Sequence, residues 1–375
     1  MSILDRRFLK NFIWLIIGLS LILSALGALN LYSASLHSGL HLFKKQLIWI
    51  AVGVGSMVFV SFISGSTMQR YAFRLYFICI LALVAVLVFG KEVSGSKSWI
   101  VLGSFSVQPS EFVKIAAVLV LARFYHYSFH DGPFGLGELM GPILSIVPIS
   151  VLIILQPDFG TLLVILLICG SLLAFVGIEK KSLLAILALL IAVSIPTWHF
   201  LLKDYQRERV LTFVDPLRDP KGTGYNSIQS QIAVGSGKLT GKGFSSGTQS
   251  QLRFIPEQET DFVFSVLAEE WGFVGAVFVL MLYFLLIFFI FDVASSTKDK
   301  FSMMVSLGIA MLFFWHACLN VGMVLGLLPI IGVPLLFFSY GGSSVVTAFI
   351  AIGIVVGIKL RQLPPLEGGS LWIEK

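Results

Sequence analysis

The chain has 375 residues, 57% hydrophobic and only 12% charged, with a mean hydropathy of +0.94. Soluble domains carry about 25% charged residues, so this composition excludes a soluble globular protein and points to a single membrane domain over residues 1–375. The net charge of +6 does not imply nucleic-acid binding. Most of the positive residues lie in short turns between apolar runs, where they set orientation.

The N-terminus carries Asp5, Arg6, Arg7 and Lys10 before an apolar run from Phe12 to about Ser33. That run is too long for the core of a signal peptide and ends in no clean small-residue cleavage site, so it is expected to be a retained first span. A helix needs ~20 apolar residues to cross ~30 Å of hydrocarbon. Ten such spans are expected, at about 12–33, 46–63, 72–89, 109–126, 140–155, 160–177, 182–202, 262–291, 302–326 and 336–360, all helical because lipid cannot satisfy free backbone groups. The fold class is therefore an all-α polytopic membrane protein.

With the N-terminus in the cytoplasm, that side collects Arg6, Arg7, Lys10, Arg70, Arg74, Arg123, Lys180, Lys181, Lys298, Lys300, Lys359 and Arg361. The short loops opposite hold only Lys44, Lys45, Lys91 and Lys97. The excess predicts both termini in the cytoplasm, and the long polar loop from about Lys203 to Asp261 on the outside.

That loop carries eight Lys/Arg and seven Asp/Glu and is rich in glycine from Gly222 to Gly247. Loops of this length are functional or disordered. Its apolar residues Ile228, Ile232, Val234, Leu239, Phe244, Leu252 and Phe254 suggest that it packs down. The basic residues Arg207, Arg209, Arg218, Lys221, Lys238, Lys242 and Arg253 suit an anionic ligand such as a phosphate, although interleaved acids also fit a solvated mixed-charge surface. Gly235 to Gly243 superficially looks like a phosphate-binding loop, but its spacing is wrong and Gly243 stands where Ser or Thr is required.

Asp261 sits where the loop re-enters the membrane. Helical periodicity puts Ser265, Ala268 and Gly272 on its face, so either something approaches closely there or helices pack, with Asp261 as an ordinary cap. Glu111 and Lys114 are neighbours on one helix face and read as a site or as a pair joining helices. Gln156-Pro157-Asp158-Phe159-Gly160-Thr161 is either a surface site or a capped turn. Leu327 to Ser344, with Pro329, Gly332 and Pro334, reads as a broken or re-entrant segment. Gly322/Gly326 and Gly353/Gly357 read as packing pairs, and His316 with Asn320 as an interhelical hydrogen bond. Cys79, Cys169 and Cys318 lie inside apolar runs without paired spacing, which indicates neither disulfides nor a metal site.

Four motifs together resemble the SEDS family (shape, elongation, division and sporulation): Gln108-Pro109-Ser110-Glu111-Phe112-Val113-Lys114, Gln156 to Thr161, Pro256 to Phe262, and Ser339-Tyr340-Gly341-Gly342-Ser343-Ser344. Gly247 to Leu252 and Gly332 to Leu335 look like its elongation branch more than its division branch. The resemblance implies a peptidoglycan glycosyltransferase that polymerises lipid II for elongation and cell shape. It implies a class B penicillin-binding protein and other elongation-complex membrane proteins as partners. The family's essential acid falls on Asp261, read as general base of an inverting transfer. Lys97, Arg207 and Arg209 would stabilise the leaving pyrophosphate, or a divalent cation (Mg2+ or Mn2+) would. Glu111, Lys114 and Asp158 would line the substrate cavity. Three positions depart from the family pattern: Ser98 replaces an arginine, Glu259 a histidine, and Arg253 an acid. A lipid-linked precursor flippase or a non-catalytic scaffold remains the alternative.

Overall fold

Backbone N–H and C=O groups in hydrocarbon find no water, so apolar runs close their hydrogen bonds within themselves as helices. The computed structural model describes residues 3–36, 39–93, 96–103, 105–127, 132–196, 199, 207–208, 211–213, 215 and 222–362. Within these, α1 (Ile3–Ser35), α2 (His41–Ser61) and α3 (Gly65–Phe89) are followed by α4 (Pro109–Tyr127), α5 (Leu136–Leu155), α6 (Phe159–Val176) and α7 (Lys180–Pro196). The long loop contains α8 (Thr223–Ser236) and a short α9 (Thr248–Gln251). It leads into α10 (Val263–Ser296), α11 (Lys300–Val324) and α12 (Gly342–Gln362).

Eight of these helices (α1–α3, α5, α6 and α10–α12) are long and apolar enough to cross a membrane. The ten spans expected from sequence add α4 and α7. Over its 19 residues α4 carries Glu111, Lys114 and Arg123, and α7 is described over 17 residues, so length and composition do not select them. The sequence did not anticipate a small antiparallel sheet between α3 and α4. There β1 (Lys91–Val93), β2 (Ser96–Leu102) and β3 (Phe105–Val107) pair in the order β1-β2-β3.

α4, α11 and α12 are buried on nearly every side and form the centre of the bundle. α12 lies against α2 through Gly353 and Gly357. Cβ atoms there would fall 2.5 Å from the Met57 carbonyl oxygen and 2.7 Å from that of Ser61, as small-residue packing requires. Gly322 and Gly326 do not form such a pair. Gly326 lies beyond the end of α11 with φ +72°, and the Leu327 N–H donates to the Gly322 carbonyl at 2.8 Å. Gly326 is the left-handed residue that stops the helix.

α10 is broken at Gly272, where φ is 67° and ψ −166°. A break frees carbonyls before it and N–H groups after it. The loop turn after α8 takes up both. Lys242 and Gly243 donate their N–H groups to the Glu269 and Glu270 carbonyls, each at 3.0 Å. Phe273 and Val274 donate to the Lys238 and Leu239 carbonyls at 2.9 and 3.1 Å. The glycine- and lysine-rich stretch that superficially looked like a phosphate loop is a backbone splint across the kink.

Gly272→Ala should destabilise the protein by more than about 1 kcal/mol, because φ is left-handed and a Cβ would fall 2.6 Å from the Leu239 carbonyl oxygen. Thermal unfolding of the detergent-solubilised protein measures this, and an unchanged midpoint would contradict the splint.

Candidate active site

Pro256 to Phe262 forms a turn ahead of α10, and three other elements hold that turn by its backbone. Tyr340 N–H donates to the Glu259 carbonyl at 2.8 Å, and Ser339 Oγ to the Thr260 carbonyl at 2.5 Å. Asn320 Nδ2 donates to the Asp261 carbonyl at 2.8 Å, and Asn30 Nδ2 to that of Val263 at 2.9 Å. Asp261 is half-buried and lies beside Gly332, whose ideal Cβ would come within 3.4 Å of Asp261 Oδ2.

Two expectations for this segment are corrected. Asp261 is not the cap of α10: the helix starts at Val263 after Phe262, and no side-chain cap bond is made. Nor is the small-residue stripe open to an approaching molecule. Ser265 hydrogen-bonds Ser230 of α8 at 2.8 Å, and a Cβ at Gly237 would collide with the Ala268 carbonyl. The chain's own loop occupies that face. The loop docks through backbone and small residues (Ser230 and Ala233 are fully buried), whereas Ile232, Leu239, Phe244, Leu252 and Phe254 are exposed rather than packed down.

Beneath Asp261 runs a buried polar chain. Lys114 Nζ donates to Glu111 Oε1 at 2.7 Å and meets His316 Nε2 at 2.9 Å, and His316 Nδ1 meets the Pro334 carbonyl at 2.9 Å. A carbonyl only accepts, so Nδ1 carries the proton and Nε2 accepts from the ammonium, a neutral imidazole. Asn320, one turn along α11, donates from one carboxamide to both Asp261 and Val333, the latter at 2.8 Å. Glu111, Lys114, His316 and Asn320 are all at most 3% exposed. The sequence named His316 and Asn320 as an interhelical bond. His316 does bridge two helices, through Lys114 of α4, and with Asn320 it also holds the non-helical segment between α11 and α12, the re-entrant stretch expected over Leu327 to Ser344, and ties it to Asp261. Their separate partners, 13 and 59 residues from Asn320, could not be read from spacing.

The other motifs converge on the same end. Asp158 caps α6: Oδ1 accepts from Thr161 N–H at 3.2 Å, and Oδ2 accepts from Thr161 Oγ1 at 2.9 Å and from Gln108 Nε2 at 2.8 Å. Gln108 N–H donates to Ser343 Oγ at 2.8 Å. Lys97 donates to the Leu87 and Val88 carbonyls at 2.7 and 3.3 Å, a cation at the C-terminal end of α3. Arg207 donates to the His199 carbonyl at 2.7 Å. Arg209, Arg218 and Lys221 lie outside the described residues. Among the described residues no group of three or more His, Cys, Asp or Glu could hold a metal ion.

Arg253 and Glu259 interact electrostatically. Burial raises the Glu259 carboxyl above its ordinary 4.5, while the backbone and the Arg253 and His41 charges pull it down and Glu257 pushes it up.

A bundle of spanning helices with a buried polar chain under one loop-covered end defines a polytopic membrane protein, with a candidate site at the head of α10. The chain belongs to the FtsW/RodA/SpoVE family: a family model described as "Cell cycle protein" matches residues 7–362, the family that the four motifs resemble. The chain is 40% identical to peptidoglycan glycosyltransferase MrdB of Escherichia coli over 89% of this chain and 90% of that one. It is 33% identical to peptidoglycan glycosyltransferase RodA of Treponema pallidum over 95% and 99%. One solved structure, described as structural coordination of polymerization and crosslinking by a peptidoglycan synthase complex, superposes with TM-score 0.81 at 32% identity, covering 94% of this chain and 98% of that one. The Thermus thermophilus rod shape determining protein RodA superposes with TM-score 0.70 at 27% identity, with the same coverage.

Two outcomes test the electrostatics. Lys114→Met alone leaves Glu111 buried and unpaired, at a cost of about 3–5 kcal/mol, whereas Glu111→Leu with Lys114→Met recovers more than half of it. Thermal midpoints of the three proteins decide, and a double variant as unstable as the single one would contradict the pairing. A raised folded-state carboxyl contributes stability below pH 4.5 that is lost as pH rises through its folded value. Glu259→Gln should therefore be the more stable protein at neutral pH, with the difference vanishing towards pH 4. An equal difference at both pH values would refute the shift.

Proposed function

We propose that the chain is a peptidoglycan glycosyltransferase of the elongation type, with Asp261 as its base. The observation that carries this reading is the backbone clamp. Carbonyls 259, 260, 261 and 263 are held by Tyr340, Ser339, Asn320 and Asn30, so the Asp261 carboxylate is presented from a fixed frame. Preorganised groups contribute to rate because they need no rearrangement during reaction.

The substrate in this reading is lipid II. The 4-hydroxyl of one lipid-linked sugar attacks the anomeric carbon of another. Its proton passes to the Asp261 carboxylate, the new carbon–oxygen bond forms as the bond to pyrophosphate breaks, and the pyrophosphate departs with the electron pair. A single base on the acceptor side gives inversion. Arg207 and Arg209 are the cations we assign to the leaving pyrophosphate. Lys97 would have to exchange its α3 carbonyls for it. Glu111 and Lys114 act as positioning residues, and Asp158 keeps the start of α6 in place. The described side chains build no metal cage, so a Mg2+ or Mn2+ ion would take its oxygens largely from substrate phosphates, and no step here passes through one.

We place the termini in the cytoplasm and the site on the outer face of the cytoplasmic membrane, supported by the Lys/Arg excess on the side of the termini. The partner in this reading is a class B penicillin-binding protein within the elongation machinery, supported by the likeness to a chain of a synthase complex.

Purified protein with labelled lipid II tests the proposal. A base is worth ~10²–10⁴-fold, so Asp261→Asn should lose nearly all polymer while keeping its thermal midpoint. Near-normal polymer from Asp261→Asn would overturn the assignment. A wild-type chain that makes none, while moving lipid II across a bilayer, would establish the flippase instead. Polymer yield is expected to fall in chelator and return with Mg2+ or Mn2+; an unchanged yield in chelator would remove the ion from the reading.

A further inference from the structure

At the end of the bundle away from Asp261, a cavity of about 620 Å³ lies among the last turns of α4, α6 and α10 and the first turns of α11. Tyr125, Phe134, Phe175, Phe291 and Met303 line it, and Lys300 stands at its rim. Its volume is that of a small-molecule site, but its walls are apolar, so it is not a water pocket, which would need polar partners.

Three observations give its occupant a chemistry. Phe175, Phe291 and Met303 are 52%, 41% and 36% exposed on the sides of spanning helices, so the cavity opens sideways toward hydrocarbon. Tyr125 is only 5% exposed, yet its buried hydroxyl has no hydrogen-bond partner among the described residues. Such groups in folded proteins are normally paired. Of the acids at this end, Asp299 accepts from Ser302 N–H at 2.9 Å, Asp292 lies 3.5 Å from Lys359 Nζ, and exposed Glu179 stands beside Gly135. Among the described residues no carboxylate pairs with exposed Lys300. Lys298 lies two residues away, and Lys180 and Lys181 open α7, which follows α6 at this end.

We propose that this cavity binds one anionic phospholipid. Its acyl chain fills the aromatic and methionine pocket, an ester oxygen accepts from the Tyr125 hydroxyl, and its phosphate lies beside Lys300. A soluble anion would use Lys300 but leave the apolar volume empty, and a zwitterionic lipid would use the volume but gain less from the cation, because its own ammonium already offsets its phosphate.

Native mass spectrometry of the full-length protein, carried through detergent exchange with equimolar phosphatidylglycerol and phosphatidylcholine, reads the site directly. One retained phosphatidylglycerol per chain is expected. Lys300→Glu should lower the ratio of phosphatidylglycerol to phosphatidylcholine by at least about fivefold, the worth of roughly one lysine at an anionic surface. Tyr125→Phe should weaken retention of both lipids, and Leu307→Trp, which fills the cavity, should abolish it. Because Lys300 is exposed, its variant tests the site even if Leu307→Trp fails to fold. Equal phosphatidylglycerol retention in wild type and Lys300→Glu overturns the proposal. So does retention of detergent alone, or displacement of the lipid by millimolar inorganic phosphate, which would make the site one for a free anion. The readout is lipid mass, independent of polymerisation.

Discussion

The site depends on a row of backbone carbonyls, those of residues 259, 260, 261 and 263, each held by a donor from another part of the chain. A turn at a membrane surface would ordinarily satisfy such carbonyls with water and move with it. Here Asn30 of α1, Asn320 of α11, and Ser339 and Tyr340 just before α12 hold them instead. The donors are in turn fixed by burial: Asn30, Asn320 and Ser339 are at most 2% exposed. The position of the Asp261 carboxylate thus follows from helices that are distant in sequence.

The buried ion pair serves the same constraint from below. A lysine and a glutamate placed in an apolar interior lose their hydration, and their mutual attraction does not reliably repay that loss. The Glu111–Lys114 pair is therefore poor evidence of stability for its own sake, and Glu111 Oε2 has no hydrogen-bond partner among the described residues. The pair supplies direction. Lys114 fixes the proton on His316, and His316 can then hold Pro334, next to the Val333 carbonyl that Asn320 holds. An apolar replacement of the pair would fill the volume but leave His316 Nε2 without its donor, and with it the contact that fixes the tautomer holding Pro334.

The loop has a comparable task above. By bonding to both sides of the Gly272 break it lets α10 change direction without exposing backbone to lipid, and Glu269, fully buried, accepts from Lys242 Nζ at 2.8 Å and from the N–H groups of Gln249 and Ser250 at 2.8 and 3.0 Å. Gly237, Gly241, Gly243 and Lys242 are accounted for by this docking rather than by phosphate binding.

Sequence alone determined the helical class, the approximate boundaries of most spans and the non-helical stretch before α12. Hydropathy over ~20 residues and local spacing are properties of contiguous chain. The small sheet before α4 was missed because its strands are three to seven residues long and carry no usable period. The fate of the small-residue stripe was also out of reach: Ser265, Ala268 and Gly272 read the same whether a ligand or the chain's own α8 lies against them. Only the tertiary structure decided which carbonyl each of Asn30, His316, Asn320 and Ser339 would hold. A hydrogen bond between residues tens or hundreds of positions apart leaves no periodic trace in either segment, and its donor and acceptor are common to every chain.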